Sequence, residues 1–241
     1  MADELKAVLF DLDGTLLPLD QDEFTSGYFK FLIKKLMPHG YEPKTLIDAI
    51  WHGTNAMVRN DGRRTNEEVF WEDFTSVLGE KALIDRPLFE EFYAHDFAEA
   101  KALCGFDPRA KEAVSMLRSA GVRTVLATNP VFPAAATEQR IRWAGLEPDM
   151  FELVTTYENI SYCKPNHDYY REILRRIGLA PENCIMVGND VGEDMCAARL
   201  GMGVFLLTDH MLNRKNEDIS AIPQGGFDEL IAFLKAAIDA D

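Results

Sequence analysis

Residues 6–15 read Lys6-Ala7-Val8-Leu9-Phe10-Asp11-Leu12-Asp13-Gly14-Thr15. Four apolar residues in succession, cut off by two acids and a glycine, have the profile of a buried parallel strand that ends abruptly in a loop. Three later runs look the same: 122–128 (VRTVLAT), 185–188 (IMVG) and 204–208 (VFLLT). Helical patterns lie between and after them, over 108–120, 133–144, 166–177, 194–200 and 227–238. In the first, Ala110, Val114 and Leu117 share one face. The third begins at Asn166, a good N-cap, and stops before Gly178. Strands alternating with helices predict an α/β fold: a doubly wound parallel sheet covered on both faces.

The rhythm fails between residues 20 and 103. That stretch holds no convincing buried strand and four helical patterns, 24–37, 45–59, 66–78 and 86–100. Its aromatics recur at helical spacing, as in Phe70, Trp71 and Phe74 or Phe89, Phe92, Tyr93 and Phe97, and read as helix core. The expected organisation is an α/β core of residues 1–19 and 104–241 interrupted by an all-helical domain of residues 20–103.

Composition agrees with a folded enzyme-sized protein. The chain has 241 residues, 47% of them hydrophobic and 27% charged, enough for a real core without disulfide or zinc staples. Twenty-five Lys and Arg against 40 Asp and Glu leave a formal charge of −15. Such a surface repels nucleic-acid backbones and anionic lipid, so no nucleic acid and no membrane is expected as a partner. No apolar run approaches the roughly 18 residues of a membrane span. The first residues are acidic where a signal peptide is basic. The cysteines (Cys104, Cys163, Cys184 and Cys196) form no CxxC pair and read as small hydrophobes in a reducing, cytoplasmic setting.

In open α/β sheets, sites form at the carboxyl ends of the strands. There the first strand places Asp11, Asp13, Gly14 and Thr15. The second places Thr128 and Asn129. A later loop carries Lys164-Pro165, and the strand after it ends in Gly188-Asn189-Asp190, with Asp194 four residues on. Each piece alone has an ordinary explanation as a turn, a cap or a solvated charge. Four carboxylates, a hydroxyl and an ammonium delivered in this order to one rim do not.

That ordered set resembles the haloacid dehalogenase superfamily. The helical insertion after the first strand is similar to the small helical cap of phosphoglycolate phosphatase and β-phosphoglucomutase. The resemblance spans the whole chain, with one departure: Asn189 stands between the glycine and Asp190, while the DxxxD spacing is kept. It implies a phosphoric monoester hydrolase whose Asp13 main-chain carbonyl ligates a metal.

The chemistry follows from the residue types. Asp11 can attack phosphorus and form an aspartyl-phosphate. A phosphate of about −2 beside ionised Asp11, Asp190 and Asp194 is offset only by Lys164, so a hard divalent cation is required, and oxygen ligands select Mg²⁺. Asp11, Asp13, Asp190 and Asp194 are its expected ligands, Asp194 directly or through water. Asp13 protonates the leaving oxygen and then deprotonates the hydrolytic water, which calls for a raised pKa supplied by neighbouring like charges. Thr128 and the Asn129 N–H hydrogen-bond the phosphoryl group, and Lys164 neutralises it. Asp13 also argues against carbon–halogen cleavage, because a departing halide needs no acid. The cap should choose the substrate; Arg59, in a small basic patch with Arg63 and Arg64, is the candidate contact to a second anionic group. Trp51 and His52 are further candidates.

The expected function is a cytoplasmic Mg²⁺-dependent phosphatase of a small phosphorylated substrate, as a monomer or homodimer. The alternatives are a phosphomutase of the β-phosphoglucomutase type and a non-catalytic phosphate-binding or regulatory protein of the same fold.

Overall fold

The computed structural model describes residues 4–240. Six strands form one parallel sheet in the order β3-β2-β1-β4-β5-β6. They are β1 Ala7–Phe10, β2 Arg123–Leu126, β3 Leu153–Val154, β4 Cys184–Gly188, β5 Gly203–Leu207 and β6 Gln224–Gly225. The doubly wound α/β expectation holds. β3 and β6, of two residues each, were not predicted, and the 122–128 run is strand only over β2.

Period-two alternation explains how the sheet is covered. Val8 and Phe10 of β1 point into one apolar cluster, and Ala7 and Leu9 into another on the opposite face. Helices α6 (Pro108–Ser119), α7 (Ala134–Trp143) and α9 (Phe227–Asp239) contribute to the first. Helix α8 (His167–Ile177) contributes to the second. The α8 boundaries come from local chemistry: the Asn166 side chain accepts from the Asp168 N–H at 2.9 Å, and Gly178 ends the helix at φ 67°. The expected helix over 194–200 is instead a 3₁₀ segment, Met195–Leu200.

Between β1 and β2 the chain is helical: α1 (Gln21–Leu36), α2 (Pro43–Val58), α3 (Asn66–Leu78), α4 (Lys81–Ile84) and α5 (Arg86–Ala94). Asp20 and Glu42 cap α1 and α2, and Thr65 with Glu68 forms a capping box on α3. The single helix expected over 86–100 breaks at His95 and continues as a 3₁₀ stretch, Asp96–Leu103. Phe24, Tyr28, Phe92 and Phe97 bury their rings in the same cluster that covers the sheet, so helical insertion and sheet share apolar packing.

Candidate active site

β1 and β4 are adjacent although far apart in sequence, which makes the gap between them the topological switch point of the sheet. Phe10 pairs with Val187, so Asp11 leaves β1 beside the end of β4, and its N–H donates to Val187 O at 2.9 Å. A cavity of about 110 Å³ opens there. It is lined by Asp11, Asp13, Thr128, Asn129, Asp190 and Asp194. These six predicted residues therefore converge on one space, and Lys164 reaches it from the side.

Lys164 is 1% exposed. Its Nζ donates to Asp11 Oδ1 at 2.8 Å and to Asp194 Oδ1 at 2.6 Å. Burial pulls the Lys164 pKa down, but the two carboxylates more than reverse this and hold it well above the ordinary lysine value. The second oxygen of Asp194 accepts from the Asp190 N–H at 3.0 Å, and burial pushes its carboxyl upward against the pull of Lys164. Gly188 packs directly against this carboxylate, where a Cβ would collide with it.

Asn189 has a structural task. Its Nδ2 donates to His210 O at 2.6 Å, and its Oδ1 accepts from Thr15 Oγ1 at 3.1 Å. It fills the space above Gly14, whose φ of +79° and tight clearance exclude a side chain. Asn129 ties two loops together: its Oδ1 accepts the Lys164 N–H at 3.2 Å and its Nδ2 donates to Glu193 at 3.1 Å. The hydroxyls of Thr155 and Tyr169 donate to the Thr128 carbonyl at 2.7 and 2.8 Å.

Three charged residues at the site were not predicted. Arg140 of α7 is fully buried and pairs with Asp13, with its guanidinium 4.4 Å from the Phe132 ring centroid. Its signal lay in the pattern: Arg140 shares the buried stripe of α7 with Ala136, Thr137 and Ile141. Arg214 reaches Asp190 Oδ2 at 2.7 Å from an irregular segment with no local signature. Glu193 lines the cavity, and burial raises its carboxyl to about 7.

The Asp13 pKa is raised as expected, but the cause differs. Burial is the main contribution, Arg140 opposes it, and the like charge of Asp11 is secondary. Arg59 is not brought to the site: it ends α2, is exposed, and lines neither this cavity nor the larger one beside it. His52 is likewise turned outward, paired with Asp73 at 2.8 Å. The aromatics expected as plain helix core divide. Phe92 and Phe97 are core, whereas Phe70, Trp71, Phe74, Phe89 and Tyr93 also form the wall of that larger cavity.

The donor chemistry fits a hard cation. Every candidate ligand offers oxygen, and Asp13 Oδ1 is buried with no hydrogen-bond partner. Among the described residues no three acidic, histidine or cysteine side chains form a ready metal cage. Mg²⁺ ordinarily takes one or two carboxylates and completes its shell with water and phosphate, which Asp11 and Asp190 suit. Both oxygens of Asp194 are engaged, by Lys164 and the Asp190 N–H, and those of Asp190 by the Gly192 and Glu193 N–H groups and by Arg214; Asp194 is the more deeply buried of the two.

The haloacid dehalogenase-like hydrolase family profile matches residues 5–201. The chain belongs to that family. It is 28% identical over 221 residues to the glyceraldehyde 3-phosphate phosphatase of Methanothermobacter thermautotrophicus, covering 89% of this chain and 91% of that one. It is 26% identical over 202 residues to a phosphoglycolate phosphatase of Nitrosospira multiformis, covering 83% and 82%. Among solved structures it is similar to the 2-haloacid dehalogenase of Pseudomonas syringae pv. Tomato, with a TM-score of 0.63, 18% identity and 96% and 99% coverage. The HAD-hydrolase YfnB of Bacillus subtilis, solved with magnesium, gives a TM-score of 0.56, 18% identity and the same coverage. This family member is a hydrolase with a Rossmann-like parallel sheet.

Proposed function

We propose that this hydrolase cleaves small phosphate monoesters through an aspartyl-phosphate on Asp11, with Mg²⁺ as cofactor. Residues 1–19 and 104–241 act as the catalytic core and residues 20–103 as its cap. The observation that carries the reading is the buried Lys164 ammonium bridging Asp11 and Asp194 at a cavity that also collects Asp13, Thr128, Asn129 and Asp190.

Asp11 is the nucleophile: an oxygen of its carboxylate attacks phosphorus while the ester oxygen departs. Asp13 gives that oxygen its proton and later accepts one from the water that opens the acyl-phosphate. Burial favours the protonated form that the first half-reaction needs. Lys164 offsets charge on the phosphoryl group, and the Thr128 hydroxyl and Asn129 N–H orient it. Asp11, Asp190 and the Asp13 carbonyl would hold Mg²⁺, which when bound supplies positive charge to the phosphoryl oxygens. Asp194 acts through others, fixing Lys164 and the Asp190 main chain. The phosphatase names among the relatives support this reading. The likeness to a dehalogenase concerns the fold alone, and an acid at position 13 favours an alkoxide over a halide leaving group.

The test is turnover of a chromogenic aryl phosphate by purified protein with and without Mg²⁺. Turnover is expected only with the metal, and Asp11→Asn should abolish it while leaving thermal unfolding unchanged. Substantial activity surviving in that variant removes Asp11 from the nucleophile role.

A further inference from the structure

A second cavity, of about 250 Å³, continues from the first. The two share Gln21, Asn129, Val131, Phe132 and Glu193 as walls. Its remaining lining comes largely from the helical insertion and is aromatic: nine further Phe, Tyr and Trp side chains face it, among them Tyr28, Phe70, Trp71, Phe89 and Tyr93. Their polar ends are turned toward one another. The Tyr28 and Tyr93 hydroxyls lie 2.6 Å apart in a mutual hydrogen bond, and Trp71 Nε1 donates to the Tyr157 hydroxyl at 3.4 Å. Among the described residues no Lys, Arg or His lines the cavity, and the one carboxyl there is Glu193, on the wall shared with Asp11.

We infer that the group esterified to phosphate is neutral, predominantly apolar and ring-sized, and that it occupies this aromatic cavity. The inference rests on the phosphatase reading and narrows its substrate class. A phosphoryl group held at Asp11 has the aromatic cavity directly beside it across five shared wall residues, so its ester oxygen can carry the organic group among the rings. A second anionic group there would lose its water and meet no cation, at a cost no neutral group bears. A neutral ring instead gains about fourfold per buried methylene equivalent. The size is suitable: a cavity of about 150 Å³ lined by apolar side chains holds benzene, so this one accommodates one ring or two fused rings.

The experiment compares cyclohexylmethyl phosphate, ethyl phosphate and 2-phosphoglycolate, which all release an alkoxide, so their ratio reads binding of the organic group more than leaving-group chemistry. With Mg²⁺ present, kcat/KM for cyclohexylmethyl phosphate is expected to exceed that for each of the others by on the order of 10²-fold, about three buried methylenes' worth. Trp51→Ala and Val58→Asp alter exposed residues of the cavity rim. Both should raise KM for cyclohexylmethyl phosphate more than for ethyl phosphate. Equal kcat/KM for the three esters, or a preference for 2-phosphoglycolate, overturns the inference and leaves the phosphatase reading standing. Absence of all turnover removes the phosphatase reading instead. Calorimetric titration with cyclohexylmethylphosphonate and phosphonoacetate then decides the cavity's preference without catalysis: tighter binding of the ring compound supports it and equal affinity overturns it.

Discussion

Replacing Lys164 by Met probes the central ion cluster most directly. The ammonium is almost wholly buried and spans two carboxylates, of which Asp194 is 1% exposed at its side chain and Asp11 11%. The two acids are not equivalent. Both border the cavity, but Asp11 is the more exposed and is rehydrated more readily when its partner is lost. Removing one partner of a fully buried pair costs about 3–5 kcal/mol, because a desolvated charge is left unmatched. Nearly all of that cost should arise from Asp194. Lys164→Met is therefore expected to lower the unfolding free energy by about 3–5 kcal/mol in urea titration, with little change in the m-value. A second substitution separates this cause from simple loss of packing. In the Lys164→Met/Asp194→Leu double variant the unmatched charge is gone, and the loss should fall well short of the sum of the two single losses, by about 2 kcal/mol or more. Hydrolysis should be lost in both variants that lack the ammonium. A single-variant cost below about 1 kcal/mol, together with strict additivity, would refute the claim that Lys164 is held there as the counter-ion of Asp194.

Three further outcomes follow from individual contacts. Arg214→Ala frees an oxygen of Asp190; since the Arg214 side chain is 59% exposed, the pair is worth about 0.2–1 kcal/mol, and the Mg²⁺ concentration giving half-maximal turnover should fall by about 1.5- to 5-fold, whereas a rise would mean that Arg214 assists the site. Gly188→Ala drives a Cβ into the Asp194 carboxylate and should destabilise by about 1–3 kcal/mol in thermal or urea unfolding. Asp107 caps α6, accepting from the Arg109 N–H at 2.9 Å, and its hydrogen bonds to the Arg109 guanidinium hold its carboxyl below the usual range; Asp107→Ala should cost about 1 kcal/mol at neutral pH. Because the native carboxyl is depressed, that contribution is complete above the unfolded value of about 3.9 and fades as pH falls through the lower native value, so wild type and variant should converge in acid.

What was legible in the sequence divides along physical lines. β1 and β4 are buried along their whole length and β2 and β5 over their last three residues, and burial on both faces writes apolar runs. β3 and β6 hold two residues each, too few to show any period, and their pairing is set by neighbours already in place. The α8 boundaries were readable because the Asn166 cap and the Gly178 stop are local. The break of α5 at His95 was not, since the aromatic spacing carries on through it: Phe92 and Phe97 pack into the same cluster from either side. α4 is illegible for the converse reason, a helix of a single turn being too short for periodicity.

The same distinction runs through the site. Asp11, Thr128, Lys164 and Asp190 sit on strand ends or in the loops beside them, where chain order alone fixes their neighbourhood. Arg214 comes from a segment that no pattern describes, and the isolated bridge between Asp190 and Leu212, with the Asn189 hydrogen bond to His210 O, brings it alongside. Arg140 stands between these cases. An arginine on a helix whose neighbours at i−4, i−3 and i+1 are all buried must itself be buried, and a buried guanidinium requires an anion. Two hydrophobic clusters provide none, so the anion had to be a carboxylate at the strand ends. Of the acids gathered there, Asp11 and Asp194 face Lys164, Asp190 faces Arg214 and Glu193 accepts from Asn129. Asp13 remains for Arg140, whose burial and stacking on Phe132 place the proposed acid–base residue at the junction of the charged and aromatic cavities.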